Sequence, residues 1–265
     1  MHILDKIIAH KKEEVNYQKA TISIGALQQT LLFERKTLSL KAFLADETKT
    51  GIIAEFKRKS PSKGVINGTA DVVKVTGAYT AHGASGLSVL TDSHFFGGTI
   101  ADLQQARVNT IPILRKDFMI DPYQFYEAKA IGADVILLIA ACLTPQQVNE
   151  FAALSKSLGL EVLLEIHNEE ELGHICADVD FVGVNNRNLK TFEVDINTSL
   201  QLFPLIPAGK PAIAESGISD VETILMLKKA GFKGFLIGEN FMKQADPAIA
   251  FADFVTGLKA KQHAH

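Results

Sequence analysis

Eight short apolar runs recur along this chain, at residues 52–56, 85–90, 111–115, 134–139, 160–165, 180–184, 211–214 and 234–238. Each has strand length, and the stretches between them mostly carry helical patterns. Near-continuous apolar strands alternating with helices mark a parallel sheet buried on both faces. Eight such units in a chain of 265 residues predict a closed (β/α)8 TIM barrel, whose usual size is roughly 250 residues. An open doubly wound sheet would want a glycine-rich phosphate loop after its first strand. The first run is instead followed by Lys57-Arg58-Lys59-Ser60-Pro61. The expectation is one barrel domain over residues 1–265, with residues 1–46 as an N-terminal helical extension.

Local signals punctuate this pattern. Ile3, Leu4, Ile7, Ile8 and Val15 fall mainly at helical spacing between charged residues, which predicts an amphipathic helix over residues 3–18. A second helical piece is expected over Ser39 to Leu44. Asp121-Pro122-Tyr123-Gln124 and Thr144-Pro145-Gln146-Gln147 each pair a capping residue with proline at the first helical position and glutamine at the third. Asn168-Glu169-Glu170-Glu171 and Ser219-Asp220-Val221-Glu222 follow similar capping logic. Gly83, Gly132, Gly159 and Gly231 stand where helices should stop before the next strand.

Several function classes are disfavoured. The net charge of −3 offers no electrostatic footprint for nucleic acid. The longest apolar run, Val135 to Leu143, is far short of the ~20 residues of a membrane span. Met1 to Val15 lacks the apolar core of a signal peptide, so a cytoplasmic protein without membrane association is expected. Cys142 and Cys176 form no CxxC pair, and Cys142 reads as a small buried hydrophobe. The eight histidines, from His2 to His263 and His265, show no compact ligand spacing, so no metal site is expected. No GxSxG nucleophile elbow occurs.

The chemistry is expected at the C-terminal ends of the strands, where a barrel gathers its catalytic loops. Strand one delivers Glu55 and Lys57, two residues apart and therefore on one face. Strand two ends at Thr91-Asp92, with Phe95-Phe96-Gly97-Gly98 after it. Strand three gives Arg115-Lys116-Asp117-Phe118, strand five Glu165, strand six Asn185-Asn186-Arg187-Asn188, strand seven Glu215-Ser216-Gly217 and strand eight Gly238-Glu239-Asn240. Any one of these alone is an ordinary solvated loop residue. Convergence from seven strands is different, since burying so many ionisable groups is costly. Ser216-Gly217 and Gly238-Glu239 sit where barrels bind phosphate through backbone N–H groups, with Ser60 within reach from the first loop. Lys116 and Glu165 are the natural acid–base pair. Neighbouring cations, Lys57 and Arg187, should make Lys116 release its proton more easily, and apolar neighbours should raise the pKa of Glu165. The competing reading makes Lys116–Asp117 and Glu55–Lys57 structural ion pairs. His167 reads as a loop or capping residue.

These segments together resemble the indole-3-glycerol phosphate synthase family. The resemblance runs through Ile53 to Gly64, Leu87 to Asp92, Pro112 to Phe118, Leu163 to His167, Val182 to Leu189, Ala214 to Ile218 and Phe235 to Glu239, and spans nearly the whole chain. It implies ring closure, decarboxylation and dehydration of 1-(2-carboxyphenylamino)-1-deoxyribulose 5-phosphate, a carboxy-lyase reaction of tryptophan biosynthesis that needs no cofactor or metal. By motif, Lys116 resembles the general acid and Glu165 the general base. Lys57 matches the cation facing the anthranilate carboxylate, and Glu55, Asn185 and Glu215 match orienting groups around them. Ser60, Ser216, Gly217, Gly238 and Glu239 match the phosphate site. Pro61, Phe96 and Phe118 match the wall around the aromatic ring, and Leu236 falls among the substrate-binding positions. Arg187 adds positive charge near the carboxylate or the phosphate. Asn240 and Phe56 depart from the family pattern, which commonly has serine and an aliphatic residue there. A monomer is expected, with association with other tryptophan-pathway enzymes as a further expectation.

Two alternatives compete. A phosphoribosylanthranilate isomerase type of barrel would use a Cys or Asp pair rather than a lysine after strand three, and Cys142 falls in or just past strand four rather than strand one. A silent phosphometabolite-binding barrel would keep the glycines and lose Lys116 or Glu165, yet both are present.

Overall fold

The computed structural model describes residues 3–262. Met1, His2 and residues 263–265, which include three of the histidines considered above, lie outside the described residues. Eight parallel strands close into a barrel in sequential order: β1 (Ile52–Phe56), β2 (Gly86–Leu90), β3 (Ile113–Lys116), β4 (Val135–Ile139), β5 (Glu161–Ile166), β6 (Phe181–Asn185), β7 (Ala212–Glu215) and β8 (Gly234–Ile237), with β8 pairing back onto β1. The TIM barrel expected from the eight apolar runs is the fold that forms. A two-residue antiparallel hairpin, Lys59–Ser60 with Gly64–Val65, folds up the loop after β1; the sequence reading had only a turn there.

Alternation along each strand sorts the side chains into two layers. Ile53, Leu114, Val135, Leu137, Leu163, Phe181, Ile213 and Leu236 fill the barrel interior. Ile52, Ala54, Leu87, Val89, Ile113, Ile136 and Leu164 point outward into the larger core beneath the helices. The capping signals act as read in most places. Thr144 and Gln147 form a reciprocal capping box on the helix Pro145–Ser157. Asp121 accepts from Tyr123 N at 2.9 Å and Gln124 Oε1 accepts from Asp121 N at 3.1 Å. At 219–222 the cap is Asp220, which accepts from Thr223 N.

The N-terminal segment runs the height of the barrel. Helix α1 (Ile3–Thr21) lies over the mouth, helix α2 (Ile24–Gln28) packs on the outer helix Tyr123–Ala130, and helix α3 (Leu40–Ala45) closes the floor. At the floor, Glu161 at the start of β5 accepts from Leu40 N at 2.7 Å. Leu40 and Leu44 plug the barrel end, and both rest on glycine: a Cβ at Gly86 would lie 2.9 Å from Leu40 Cδ1, and one at Gly234 3.4 Å from Leu44. At the other end, Lys11 is fully buried and bridges Asp92 at 3.0 Å and Asp117 at 2.9 Å. Neither the burial of Lys11 nor helix α2 is expected from the sequence pattern.

Candidate active site

The inner face of each odd strand continues beyond its apolar layer by one more inward position. That position is Glu55 after Ile53, Lys116 after Leu114, Glu165 after Leu163 and Glu215 after Ile213. Parity alone therefore stacks one lysine and three glutamates on top of an oily plug. Lys116 Nζ lies 3.0 Å from Glu165 Oε2 and 2.6 Å from Glu215 Oε2. Lys57 Nζ lies 2.8 Å from Glu55 Oε1, and Ser88 donates to Glu55 Oε2 at 3.1 Å. Asn185 donates to Glu165 Oε1 at 3.1 Å, while its own Oδ1 accepts from Ser216 Oγ at 2.9 Å and Arg187 N at 3.0 Å.

Two lobes flank this centre. One is walled by Pro61, Phe96, Phe118, Leu137 and Ile139, with Ile3, Leu4 and Ile7 of α1 above. The Phe96 and Phe118 rings stand 6.0 Å apart. The other is formed by Ser216, Gly217, Gly238 and Glu239 with the cations Lys57, Lys63, Arg187 and Lys243. Arg187 Nη2 is 3.3 Å from Glu239 Oε2, and its Nη1 donates to Ser62 Oγ at 3.4 Å. Ser216 and Gly217 both adopt left-handed backbone, with φ of 65° and 76°, a conformation that disfavours a serine. Ser60 is buried where the two lobes meet. Leu236, paired with Glu215 across the β7–β8 ladder, lines both lobes.

The close approach of the strands is paid for with two glycines. A Cβ at Gly183 would stand 2.3 Å from Glu215 Oε1, and one at Gly238 would stand 2.7 Å from Glu55 Oε1. Only glycine leaves space for these carboxylates at the centre.

Electrostatics overturn two expectations. Burial works against the Lys116 ammonium, but Glu165, Glu215 and Glu55 outweigh it, so the pKa of Lys116 is raised rather than lowered. The nearby charges that matter are carboxylates in contact, not the cations at the rim. Burial likewise opposes charge on Glu165, yet Lys116 and His167 hold its pKa below the usual carboxylate range. The raised carboxyl is Glu215, pushed up to about 7 by burial and by repulsion from Glu165 and Glu55, against the pull of Lys116. Its Oε1 is buried without a hydrogen-bond donor. Glu55 is lowered, because Lys57 and Lys116 exceed the effect of its burial.

Other polar residues at the strand ends do not join the centre. Arg115 points outward and binds Glu127 at 2.6 Å, Asp117 at 3.1 Å and the Gln124 carbonyl at 3.1 Å. Thr91 donates to Asp117. Asp92 caps the short helix Ser93–Phe96 and pairs with Lys11. Asn186 holds Ser199 and the carbonyls of Glu215 and Ser216. Of the two ion pairs in the competing reading, Glu55–Lys57 forms and Lys116–Asp117 does not, since strand parity sends the latter two to opposite sides of the sheet. His167, read as a loop or capping residue, is instead half-buried with Nε2 3.2 Å from Glu165 Oε1 and Nδ1 3.1 Å from Glu171 Oε2. The signal was available: His167 follows Glu165 by two, the same spacing as Glu55 and Lys57. Cys142 is half-buried, and burial pushes its thiol up to about 12, which leaves it unreactive.

A buried acid–base cluster at the C-terminal mouth of a (β/α)8 barrel, between an aromatic lobe and a cationic one, defines a barrel enzyme acting on a small molecule. The fold itself is shared widely. The α subunit of tryptophan synthase from Legionella pneumophila superposes with a TM-score of 0.60 at 13% identity, covering 85% of this chain and 97% of that one. Sequence carries the particular relationship. Residues 4–254 match the profile of the family described as indole-3-glycerol phosphate synthase. Indole-3-glycerol phosphate synthase of Bacteroides thetaiotaomicron is 48% identical over 97% of this chain and 99% of its own length. That of Polynucleobacter asymbioticus is 44% identical over 95% and 98%. The chain belongs to the indole-3-glycerol phosphate synthase family, the carboxy-lyases of tryptophan biosynthesis.

Proposed function

We propose that this mouth converts 1-(2-carboxyphenylamino)-1-deoxyribulose 5-phosphate to indole-3-glycerol phosphate with Lys116 as general acid and Glu165 as general base. The observation that carries the roles is the seat of Lys116 between Glu165 and Glu215, at the junction of an aromatic and a cationic lobe. The phosphate is placed at Ser60, Ser216, Gly217, Gly238 and Glu239, and the aromatic ring against Pro61, Phe96, Phe118 and Leu236. Lys57 faces the ring carboxylate, and Arg187 supports the anionic end. Anchoring both ends orients the ring carbon against the ketone, an effect that removes up to roughly 7–11 kcal/mol from such barriers.

The ring carbon that carries the carboxylate bonds to the ketone carbon. The carbonyl electron pair takes a proton from Lys116, which the surrounding carboxylates keep charged until oxygen develops negative charge. Carbon dioxide leaves and its bonding pair restores the ring. The new hydroxyl then departs as water with a second proton, while Glu165 takes a proton from the adjoining methylene to complete the pyrrole. Glu215, titrating at about 7 beside Lys116, is suited to return a proton to it. Glu55 and Asn185 hold Lys57 and Glu165 in place.

The reaction is proposed to need no cofactor or metal. The protein is proposed to act as a monomer, and sedimentation of the purified protein tests this. Association with other tryptophan-pathway enzymes and cytoplasmic residence belong to the same reading, because the substrate is a phosphorylated metabolite of that pathway. Among the described residues, no helix is long and apolar enough to cross a membrane. The assignment is tested by indole fluorescence when the protein meets the carboxyphenylamino-deoxyribulose phosphate with EDTA present. Turnover is expected. No turnover, with the substrate still raising the melting temperature, would leave a binding barrel in its place.

A further inference from the structure

We propose that His167 and Glu171 are positioning residues for Glu165: the imidazole, seated between the two carboxylates, fixes the orientation of the base and keeps it ionised. This rests on the reading of Glu165 as the base.

The arrangement is built by local sequence. Leu163, Glu165 and His167 follow one another on the inner face of β5 and its end. Asn168 then caps the 3-10 helix Glu169–His174, accepting from Glu171 N at 3.1 Å. That single turn brings the Glu171 side chain back over the strand end. Its Oε2 accepts from His167 N at 2.7 Å and lies 3.1 Å from His167 Nδ1, while Asn168 Nδ2 donates to Oε1 at 3.3 Å. Glu171 is therefore fixed by backbone and side chain, and it sets the imidazole with Nε2 facing Glu165 Oε1 at 3.2 Å. The His167 side chain is 9% exposed, so solvent does little to screen these charges.

Each oxygen of Glu165 consequently has its own cation. Lys116 donates to Oε2 and Asn185 to Oε1, while His167 Nε2 stands 3.2 Å from Oε1 as a charge contact without a hydrogen bond. The other titratable groups nearby are Glu215 on β7, which repels negative charge, and the neutral thiol of Cys142 after β4. Asp5 of α1 and Glu170 line the adjoining pocket with His167. Burial disfavours an imidazolium here, but Glu165 and Glu171 more than compensate, raising His167 to about 10. The consequence bears on catalysis. Lys116 gives up its charge as it protonates the ketone, and at that moment Glu165 would lose its only counterion if His167 were neutral or absent. With His167 in place, the base stays ionised for the dehydration that follows.

The test is the pH dependence of kcat in four variants. His167→Leu removes the cation, His167→Gln retains an amide donor toward Glu165 without charge, Glu171→Gln withdraws support from the imidazolium, and Glu165→Gln removes the base. Loss of a contacting opposite charge raises a carboxylate pKa by about one unit or more. The acid limb of kcat is therefore expected to move up by that amount in His167→Leu, and by less in Glu171→Gln. His167→Gln should restore the maximal rate without restoring the limb. The two histidine substitutions should add no further shift in a Glu165→Gln background. An unmoved acid limb in His167→Gln and Glu171→Gln, with Glu165→Gln strongly impaired, would overturn the positioning role and leave Glu165 as the base. Full kcat in Glu165→Gln would instead remove the base assignment itself. Should His167→Leu not fold, the other variants decide.

Discussion

Lys11 and Lys116 both sit among carboxylates, the first buried and the second half-buried, and of the two only Lys116 faces a cavity. Lys11 of α1 lies between Asp92, Asp117 and Glu14 at 2.9–3.0 Å with its side chain wholly enclosed. Lys116 lies between Glu165 and Glu215 with 15% of its side chain exposed, at the floor of the mouth. The two clusters meet on the same short strand, for Asp117 follows Lys116 directly. Alternation on β3 turns Lys116 inward and sends Arg115 and Asp117 outward, toward α1 and the helix Tyr123–Ala130. Residue type and charge balance are similar in both, and both lysines are held protonated: burial opposes the charge, but the acidic partners raise both pKa values. What separates them is access. The outer cluster ties one element to another in a fully enclosed seat, whereas the inner one leaves part of Lys116 exposed to the cavity. An ion pair becomes chemistry only where a substrate can replace part of it.

The largest effect expected from breaking this contrast is on turnover. Lys116→Ala should lower kcat by about 10²–10⁴-fold with the KM for substrate changed only a few-fold, since the lobes that bind phosphate and ring are untouched. Steady-state kinetics checks this, and an unchanged kcat would end the assignment of Lys116. Lys11→Met should act on the opposite quantity. Removing one partner of a buried ionic cluster costs about 3–5 kcal/mol of stability, measured by urea unfolding. Below the melting transition kcat should hold, while KM rises as Ile3, Leu4 and Ile7 lose their anchor. Gly183→Ala changes no charge but drives a methyl into Glu215 Oε1. A displacement of that size lowers kcat by up to roughly 10²-fold, with little change in secondary structure by circular dichroism.

The smallest effect is a slope. Glu215 binds its proton more tightly in the folded protein than its ordinary value of 4.5, at about 7. Its contribution to stability is therefore complete below about pH 4.5 and is lost as the pH rises through about 7. Glu215→Gln should gain stability relative to the parent between those limits. Paired unfolding curves at the two ends of that window measure it, and a constant difference would show that Glu215 is ionised throughout.

Much of this was legible before any coordinates. The strand at 52–56 has the bounds read from its apolar run, and the other seven shift by only one or two residues, because a buried parallel strand must be apolar on both faces. Lys116, Glu165 and Glu215 were selectable as polar residues at the C-terminal ends of apolar strands, although the same signal also selected Arg115 and Asp117, which face outward. Lys11 and His167 were less accessible. Lys11 looks like any helix-surface lysine until the barrel supplies Asp92 and Asp117 from 81 and 106 residues away. His167 reads as a turn residue unless parity is followed one step past the strand end.

Periodicity, capping residues and strand-end polarity are local properties, so the sequence by itself determined the barrel, the order of its eight strands and the lysine and glutamates at its mouth. The signs of the pKa shifts on Lys116 and Glu165 came out opposite to a reading based on sequence neighbours. Those signs, the division of charged residues between a structural and a chemical cluster, and the seat of α1 and α3 on the two ends were decided only by the tertiary structure. Coulomb energy and desolvation depend on distances in space, and chain neighbours on a strand face opposite sides of the sheet.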